Sequence, residues 1–313
     1  MIFSNQINLV DRLFDQAKKQ GWDDHILLRS SKRVWSYREV RDEVDRRAQV
    51  LINELKLSPG DRILLHGANT VGQALAWLGI VKAGLVAVPT TPQINHNRLI
   101  DIVNRTNPVI ALSCATWLHE LEFILQPHTT VKSIIPFNNW DSNSLQIKAD
   151  AQPGNFDFHT NPDDIAMLTI LEHGQTVIHT HQQILNACKT WSCTKLNLTS
   201  DDIVIGTEPF VSTFGLGHLL ICPMWNGSSV YFHDKFYTPS NLVDTISQIG
   251  CTVCCTTPYF YQRMAAYIHT SSITLPKLQT SIILDKNLGK ITCQTWKNVT
   301  GLQIIDGTNL TWI

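Results

Sequence analysis

The sequence predicts an α/β protein of two packed subdomains, each built on a mostly parallel, doubly wound sheet. Apolar runs of strand length alternate with amphipathic segments of helix length, the pattern of a parallel sheet covered on both faces. Of the 313 residues, 43% are hydrophobic and only 16% are charged, against about 25% charged in a typical soluble domain. This composition favours a large, core-rich fold and argues against disorder.

The first subdomain is assigned to residues 1–150. It begins with an amphipathic helix that carries Leu9, Leu13 and Phe14 on its apolar face. The later elements are identified by apolar periodicity and by the turn residues between them. They are a strand at 61–67, a helix at 70–84, a strand at 85–92, a helix at 95–108, a strand at 109–114, a helix at 116–126 and a strand at 131–137.

Residues 138–162 lose this periodicity and gain Asn, Asp, Pro and Gly, which predicts a linker there. The second subdomain is assigned to residues 151–313, where the alternation resumes. Its predicted strands lie at 165–171, 201–209, 228–234, 251–258, 280–286 and 302–307, and its helices at 181–193, 215–227, 239–250, 259–269 and 292–301.

Charge and hydropathy exclude several classes of protein. The formal net charge is −1 and no long basic run is present, so no surface for nucleic acid is expected. The apolar runs are too short to cross a bilayer, and the N-terminus lacks the pattern of a signal peptide. We therefore expect a soluble, cytoplasmic protein. Cys251, Cys254 and Cys255 lie in one strand-like run, which favours buried thiols over a zinc site or disulfides.

Four blocks of the sequence resemble the adenylate-forming acyl- and aryl-CoA ligases. "VKAGLVAVPTTP" (81–92) is similar to a core motif of the family, LKAGAAYVPLDP. "EPFVSTFGLGHLLICPMWNGSSVYF" (208–232) and "CTVCCTTPYFYQRM" (251–264) resemble blocks of the benzoate and aminobenzoate branch. "TWKNVTGLQIIDGTNLTWI" (295–313) resembles the run that leads to the family's Gly-x-Thr-Glu motif. The resemblance covers essentially the whole chain.

The resemblance implies both a fold and a reaction. The fold is the two-subdomain α/β N-terminal part of these enzymes. In the reaction, a carboxylate attacks the α-phosphate of ATP to give an acyl-adenylate and pyrophosphate, and the thiol of CoA then displaces AMP. ATP or AMP, Mg²⁺ and CoA are thus implied as cofactors by the family, although the residues of this chain assign none of them. Cationic groups must offset the charge that develops on the phosphates.

The phosphate loop of the family is reduced in this chain. The family's loop runs close to TSGTTGKPKG, whereas residues 171–176 here read "LEHGQT". A phosphate cradle needs converging backbone N–H groups, hydroxyl donors and a lysine, and only Gly174 and Thr176 remain to supply them. Glu172 adds a carboxylate, which about 4 Å from a phosphate charge costs on the order of 4 kcal/mol at an effective dielectric near 20.

Three histidines in the same stretch raise a metal site as an alternative. His179 and His181 would point the same way on an extended strand, and His173 could approach them. The sequence supplies no further ligand at a defined spacing. Because His-Thr-His also occurs in the family without a metal role, we expect no metal site.

At the end of the chain the nucleotide motifs are also altered. Trp312 stands where the family has its Mg²⁺-binding glutamate, and an indole cannot ligate a hard cation. Leu284, Asp285 and Lys286 replace the family's adenine-contacting Ala-Gly-Glu. The residues that the resemblance still assigns to a vestigial nucleotide site are Gly174, Thr176, Asp306, Gly307 and Thr311.

The acyl-pocket block keeps its small and aromatic residues. Ser212, Phe214 and Gly215 align with the pocket wall of the family, so a small carboxylate ligand is one expectation. A core-filling role for Phe214 is the other, because a large aromatic side chain in an apolar block is a packing residue in most folds.

Two hypotheses about function remain, with a metal-dependent enzyme as a less favoured third. The first is a truncated, degenerate AMP-binding domain without catalytic residues, which acts as a pseudoenzyme, a binding module or a remnant. The alternative is an active carboxylate–CoA ligase with altered phosphate contacts, or with a C-terminal domain supplied by another polypeptide. Truncation would leave an apolar face bare, which predicts self-association or a protein partner.

Overall fold

A computed structural model describes residues 7–126, 131–138, 142–171, 173–194, 196–233, 236–283 and 289–307, with side chains of 191–194 excepted. Its strands in chain order are β1 (Ile26–Arg29), β2 (Val34–Ser36), β3 (Arg62–His66), β4 (Val86–Thr90), β5 (Ile110–Ser113), β6 (Ile134–Pro136), β7 (Ile165–Ile170), β8 (Thr176–Thr180), β9 (Ile203–Gly206), β10 (Ser229–Tyr231), β11 (Val253–Cys255), β12 (Thr280–Ile283) and β13 (Ile304–Asp306).

The α-helices of the described residues alternate with these strands for most of the chain. They are α1 (Leu9–Gln20), α2 (Tyr37–Gln49), α3 (Val71–Lys82), α4 (His96–Thr106), α5 (Leu118–Leu125), α6 (Leu145–Asp150), α7 (His181–Thr194), α8 (Thr213–Leu216), α9 (Cys222–Asn226), α10 (Pro239–Ile249), α11 (Pro258–Ser271) and α12 (Lys290–Thr300). None of the helices in these parts of the chain combines the length and apolar composition that a bilayer crossing requires.

The chain forms two compact units. The first unit comprises residues 1–24 and 35–189, and its six-stranded sheet has the order β6-β5-β3-β4-β7-β8. All its pairs are parallel except β7–β8, which is antiparallel. β3, β4 and β5 are almost entirely buried, as expected for parallel strands covered by helices on both faces.

The second unit comprises residues 25–34 and 190–313, and its seven-stranded sheet has the order β13-β12-β11-β9-β10-β1-β2. The pairs from β13 to β1 are parallel. Trp296 and Tyr261 are fully buried in its core, where their ring centroids lie 4.8 Å apart. The predicted α/β fold class with two mostly parallel sheets is confirmed.

The two units differ from the predicted division at residue 150. β7 pairs with β4, and this pairing draws residues 151–189 into the first unit. α6 also lies inside the stretch that was predicted to be a linker. Loss of apolar periodicity therefore marks a polar surface segment here and not the boundary between the units.

β1, β2 and α2 are not among the predicted elements. β1 and β2 have only four and three residues, too few for an alternating pattern to stand out. α2 begins with a capping box between Ser36 and Glu39. Its buried face includes Asp45 and Arg47, so the sequence shows no apolar periodicity there.

The predicted cysteine-rich strand is confirmed. β11 spans Val253–Cys255, and Cys251, Cys254 and Cys255 are all buried free thiols. Burial raises the pKa of the Cys251 thiol to about 12, so it stays protonated at neutral pH.

Candidate functional site

The segment that aligns with the family's phosphate loop is the turn of a hairpin. β7 and β8 run antiparallel, and Ile170 pairs with Thr176 at the end of the ladder. Across the turn, Leu171 N donates to Gln175 O at 2.9 Å and Gly174 N donates to Leu171 O at 2.8 Å. Gly174 has a φ of 90°, in the left-handed region that glycine adopts without strain. The turn is thus closed by hydrogen bonds between its own backbone groups.

Side chains of α4 form hydrogen bonds to the backbone of this turn. Arg98 Nη2 donates to the carbonyl oxygens of Ile170, at 3.2 Å, and Leu171. Asp101 accepts from Arg98 Nη1 at 2.7 Å and from Arg105 Nε at 2.6 Å. A Cβ placed on Gly174 would lie 3.5 Å from Arg105 Nη2, so this guanidinium borders the turn.

These contacts leave the turn poorly suited to an anion. A phosphate site presents converging N–H groups to the ligand, whereas the N–H groups of Leu171 and Gly174 are bonded to carbonyl oxygens. Thr176 is exposed on β8, and His173 Nε2 is bonded to Gln175 Oε1 at 3.1 Å. Glu172 lies outside the described residues, so its predicted effect on a bound phosphate stays a prediction.

His179 and His181 do not share one strand face. His179 lies on β8 and its Nε2 is bonded to Thr169 Oγ1 at 2.9 Å, whereas His181 is the first residue of α7. Nδ1 of His181 accepts from Leu9 N at 3.0 Å. Burial lowers the pKa of each imidazole to about 4. The extended geometry on which the metal alternative depended is therefore wrong, and both rings serve as neutral structural hydrogen-bonding groups.

The residues that align with the family's acyl pocket lie in the second unit, just after β9. Ser212 is the N-cap of α8: its Oγ accepts from Gly215 N at 2.8 Å and donates to Pro209 O at 3.0 Å. A Cβ on Gly215 would lie 2.2 Å from Pro209 O, so only glycine fits. Ser212 and Gly215 therefore both form the sharp connection from β9 into α8.

Phe214 fills the space between α8 and the end of β13. It is fully buried, its ring centroid lies 4.0 Å from that of His218, and a Cβ on Gly307 would lie 2.6 Å from its Cε2. His218 Nδ1 donates to Phe214 O at 2.9 Å. Burial lowers the pKa of His218 to about 4, so this ring is neutral. Phe214 is thus a packing residue in this structure.

One of the predicted nucleotide residues, Gly307, borders Phe214, and Asp306 precedes it in the chain. Asp306 ends β13 opposite Ile283, and its side chain is exposed. Gly307 is buried, and its N–H donates to Ile283 O at 2.6 Å. Thr311 lies outside the described residues, as do Trp312 and the stretch 284–286.

Further polar residues at this edge were not predicted. Thr207 and Thr256 follow β9 and β11 directly, and their hydroxyl oxygens are 2.6 Å apart. Glu208 comes next in the chain, and burial raises the pKa of its carboxyl group. In the sequence, these residues are recognisable by their position, because they come directly after the apolar run of a strand. The carboxyl ends of parallel strands meet at one edge, which brings these side chains together.

Strand order explains why a ligand site is expected at this edge. β9 lies between β10 and β11, so the chain leaves β9 toward one side and later returns on its other side. Such a switch opens a crevice at the carboxyl ends of the strands, where doubly wound proteins bind nucleotides and other small ligands. Fold and strand order together define a doubly wound α/β protein.

Comparison with known families identifies the class more closely. The family model described as AMP-binding enzyme matches residues 13–169 and 175–311. The chain therefore belongs to the AMP-binding enzyme family. The residues between the two matched segments, 170–174, include most of the hairpin turn described above.

Individual relatives are distant. The chain is 22% identical over 290 residues to the human mitochondrial acyl-coenzyme A synthetase ACSM3, covering 87% of this chain and 48% of the relative. It is 19% identical over 283 residues to benzoate–CoA ligase of Thauera aromatica, covering 88% and 54%. The chain thus spans about half the length of these curated relatives.

Solved structures agree on the fold. The anthranilate CoA ligase AuaEII, in complex with anthranoyl-AMP, superposes with a TM-score of 0.88 at 22% identity, over 97% of this chain and 59% of that one. A benzoate CoA ligase from Burkholderia xenovorans LB400 gives 0.85 at 18% identity, over 96% and 60%. The fold is that of the N-terminal part of adenylate-forming enzymes.

Proposed function

We propose that this chain is a degenerate AMP-binding domain that does not adenylate a carboxylate on its own. Its relatives are named as acyl- and aryl-CoA ligases, and the resemblance implies ATP-dependent activation of a carboxylate for such enzymes. In this chain the fold of the family is retained while the segment aligned with the triphosphate loop has become a closed turn. The role that remains is that of a pseudoenzyme or a binding module.

The closed turn is the observation that carries this proposal. To present its N–H groups to a phosphate, the turn would have to break the Leu171–Gln175 and Gly174–Leu171 hydrogen bonds. Each such bond contributes about 1 kcal/mol net, and the exposed carbonyl oxygens would then face the anion. Arg98 also donates to the carbonyl oxygen of Leu171, and to that of Ile170. Arg98 and Arg105 are cations near the turn, but both are already paired with Asp101.

The edge of the second sheet supports the same proposal. Ser212 and Gly215 are occupied in shaping the entry to α8, and Phe214 is fully buried. These roles are structural, so the three residues are expected even in a protein without catalytic activity. A small carboxylate as ligand, self-association and a protein partner all stay predictions.

Exchange of pyrophosphate into ATP tests the proposal directly. We expect exchange at the level of the buffer blank with benzoate, aminobenzoates and short fatty acids, because the adenylate cannot form. Benzoate–CoA ligase of Thauera aromatica, assayed in parallel, is the positive control. Exchange clearly above the blank with any of these acids would overturn the proposal.

An active ligase completed by another polypeptide is the second candidate. Its support is that the chain spans only 48% and 54% of the two relatives, which leaves part of such an enzyme outside the matched length. This candidate requires that the chain bind the nucleotide. At millimolar ATP and Mg²⁺, corresponding to a binding free energy near −4 kcal/mol, calorimetry that detects no heat would eliminate it.

A further inference from the structure

A cleft of about 400 Å³ lies at the amino-terminal edge of the first sheet. Its lining residues come from three places: the segment 55–58 with Asp61 before β3, the start of β5 at 109–110, and the residues 132–133 before β6. β6, β5 and β3 are neighbours in the sheet, so these segments meet at one edge. The hairpin turn follows the carboxyl end of β7, so the two features lie at opposite edges of the same sheet.

The charges of the lining favour an anion. Lys56 and Lys132 both line the cleft, and neither forms an ion pair with a described residue. Asp61 is the acidic residue of the lining, and its Oδ2 already accepts from Ser58 N at 2.8 Å. The flexible stems of the two lysines allow both ammonium groups to meet a ligand in the cleft.

Hydroxyl donors and apolar side chains complete the lining. Ser58 and Ser133 add hydroxyl groups, and the lining residues Leu57 and Ile110 are buried apolar side chains. The volume falls within the usual range of small-molecule pockets, about 300–1,000 Å³. A ligand with one charged end and one apolar end therefore matches the cleft better than a bare ion does.

The backbone at Lys56 is unusual for a lysine. A π-helical turn spans Val50–Glu54, and Lys56 follows with a φ of 55°, in the left-handed region that glycine favours. π-helical turns are rare and occur frequently at functional sites. This geometry carries the chain from the helix into the wall of the cleft.

We propose that this cleft binds a small organic phosphate, with the phosphate between Lys56 and Lys132 and the organic part on Leu57 and Ile110. Two cations and two hydroxyls match a dianion with three terminal oxygens. A carboxylate, with one charge and two oxygens, uses fewer of these donors. The proposal does not depend on the fate of the ATP site, because the cleft lies at the other edge of the sheet.

Titration of the full chain with phenyl phosphate, followed by calorimetry at low salt, tests the proposal. Benzoate and inorganic phosphate serve as comparison ligands. We expect saturable binding of phenyl phosphate, at least about fivefold tighter than either comparison ligand, because only it combines a dianion with an apolar group. Binding should weaken as salt is added.

A double variant, Lys56→Gln with Lys132→Gln, locates the site. We expect about a tenfold loss of affinity, whereas Lys19→Gln, at an exposed lysine of α1, leaves it unchanged. Circular dichroism checks that each variant is folded. The proposal is overturned if phenyl phosphate does not bind at 10 mM (roughly the weakest useful affinity), if benzoate binds as tightly, or if the double variant binds like the parent chain.

Discussion

The hairpin turn of the first unit and the carboxyl edge of the second sheet both carry residues that the resemblance assigns to ligand binding, but the two regions retain different features of the family. In the turn, Gly174 retains its residue type while its N–H is bonded to Leu171 O. At the sheet edge, Ser212, Phe214 and Gly215 retain both residue type and a well-packed position. The contrast is between residues that the resemblance assigns to ligand binding alone and residues that also build the fold.

The difference has a physical reason. Gly215 cannot change without a clash at 2.2 Å with Pro209 O, so packing alone maintains it. The turn connects two antiparallel strands at the surface, where a shorter loop costs little as long as its backbone groups find partners. Packing therefore preserves the sheet edge whether or not the protein is an enzyme, whereas only ligand binding would preserve the phosphate loop.

The largest effect is expected at Phe214. Phe214→Ala removes a fully buried ring and should lower the free energy of unfolding by about 4 kcal/mol. The same substitution at Phe123, whose residue is 78% exposed, should change it by less than about 0.5 kcal/mol. Urea denaturation followed by circular dichroism measures both. If Phe214→Ala proved as mild as Phe123→Ala, the packing role assigned to this edge would be wrong.

The pH dependence of stability tests whether His179 of the hairpin is buried and neutral in the folded protein. Burial lowers its pKa to about 4, whereas an unfolded chain titrates near 6.5. Between these values the unfolded state binds a proton that the folded state excludes, so stability falls as the pH falls. The buried His66 and His181 act in the same direction, with pKa values also near 4. Asp45, with its pKa raised to about 6, binds a proton in the folded state first and opposes them.

Substitution of His179 measures how much this one residue contributes to the pH dependence of stability. His179→Gln keeps a group that can bond Thr169 but does not titrate. Between pH 7 and pH 5 we expect the variant to lose about 2 kcal/mol less stability than the parent chain. Urea denaturation at both pH values gives the comparison. Parallel losses in the two proteins would mean that His179 is accessible to protons in the folded state.

A smaller effect is expected at Gly174. Its φ of 90° is costly for residues with a Cβ, so Gly174→Ala should destabilise by about 1–2 kcal/mol. Gly174→Asn should cost less, because asparagine visits the left-handed region more readily. Thermal unfolding of both variants measures the difference. Equal stability of the alanine variant and the parent chain would show that the closed turn does not require this conformation.

The smallest effect is expected at Arg98. Arg98→Ala removes the donor to the carbonyl groups of Ile170 and Leu171, which should cost about 1 kcal/mol because the side chain is partly exposed. Faster amide hydrogen exchange at Leu171 and Gly174 is the specific readout. Unchanged exchange at these two amides would mean that the turn is closed by its backbone bonds alone.

Sequence patterns predicted the regular elements well where the strands are apolar and the helices are amphipathic. α3 and β4 lie within a helix and a strand predicted from an apolar face and closing prolines. α2 was not predicted, because the ion pair of Arg47 with Glu43 replaces apolar residues on its buried face. The site residues were located through resemblance, and Glu208 and Thr256 were missed because a single polar residue after a strand is a weak signal.

The sequence by itself determined the fold class, since periodicity and residue type are local properties that can be read directly. Its resemblance to the family also indicated that the phosphate loop is shortened. The tertiary structure alone decided where the units divide, because the pairing of β7 with β4 joins segments far apart in the chain. It also decided that the shortened loop is closed by its own hydrogen bonds and by Arg98. Those contacts depend on the distance between α4 and the turn, which no local pattern encodes.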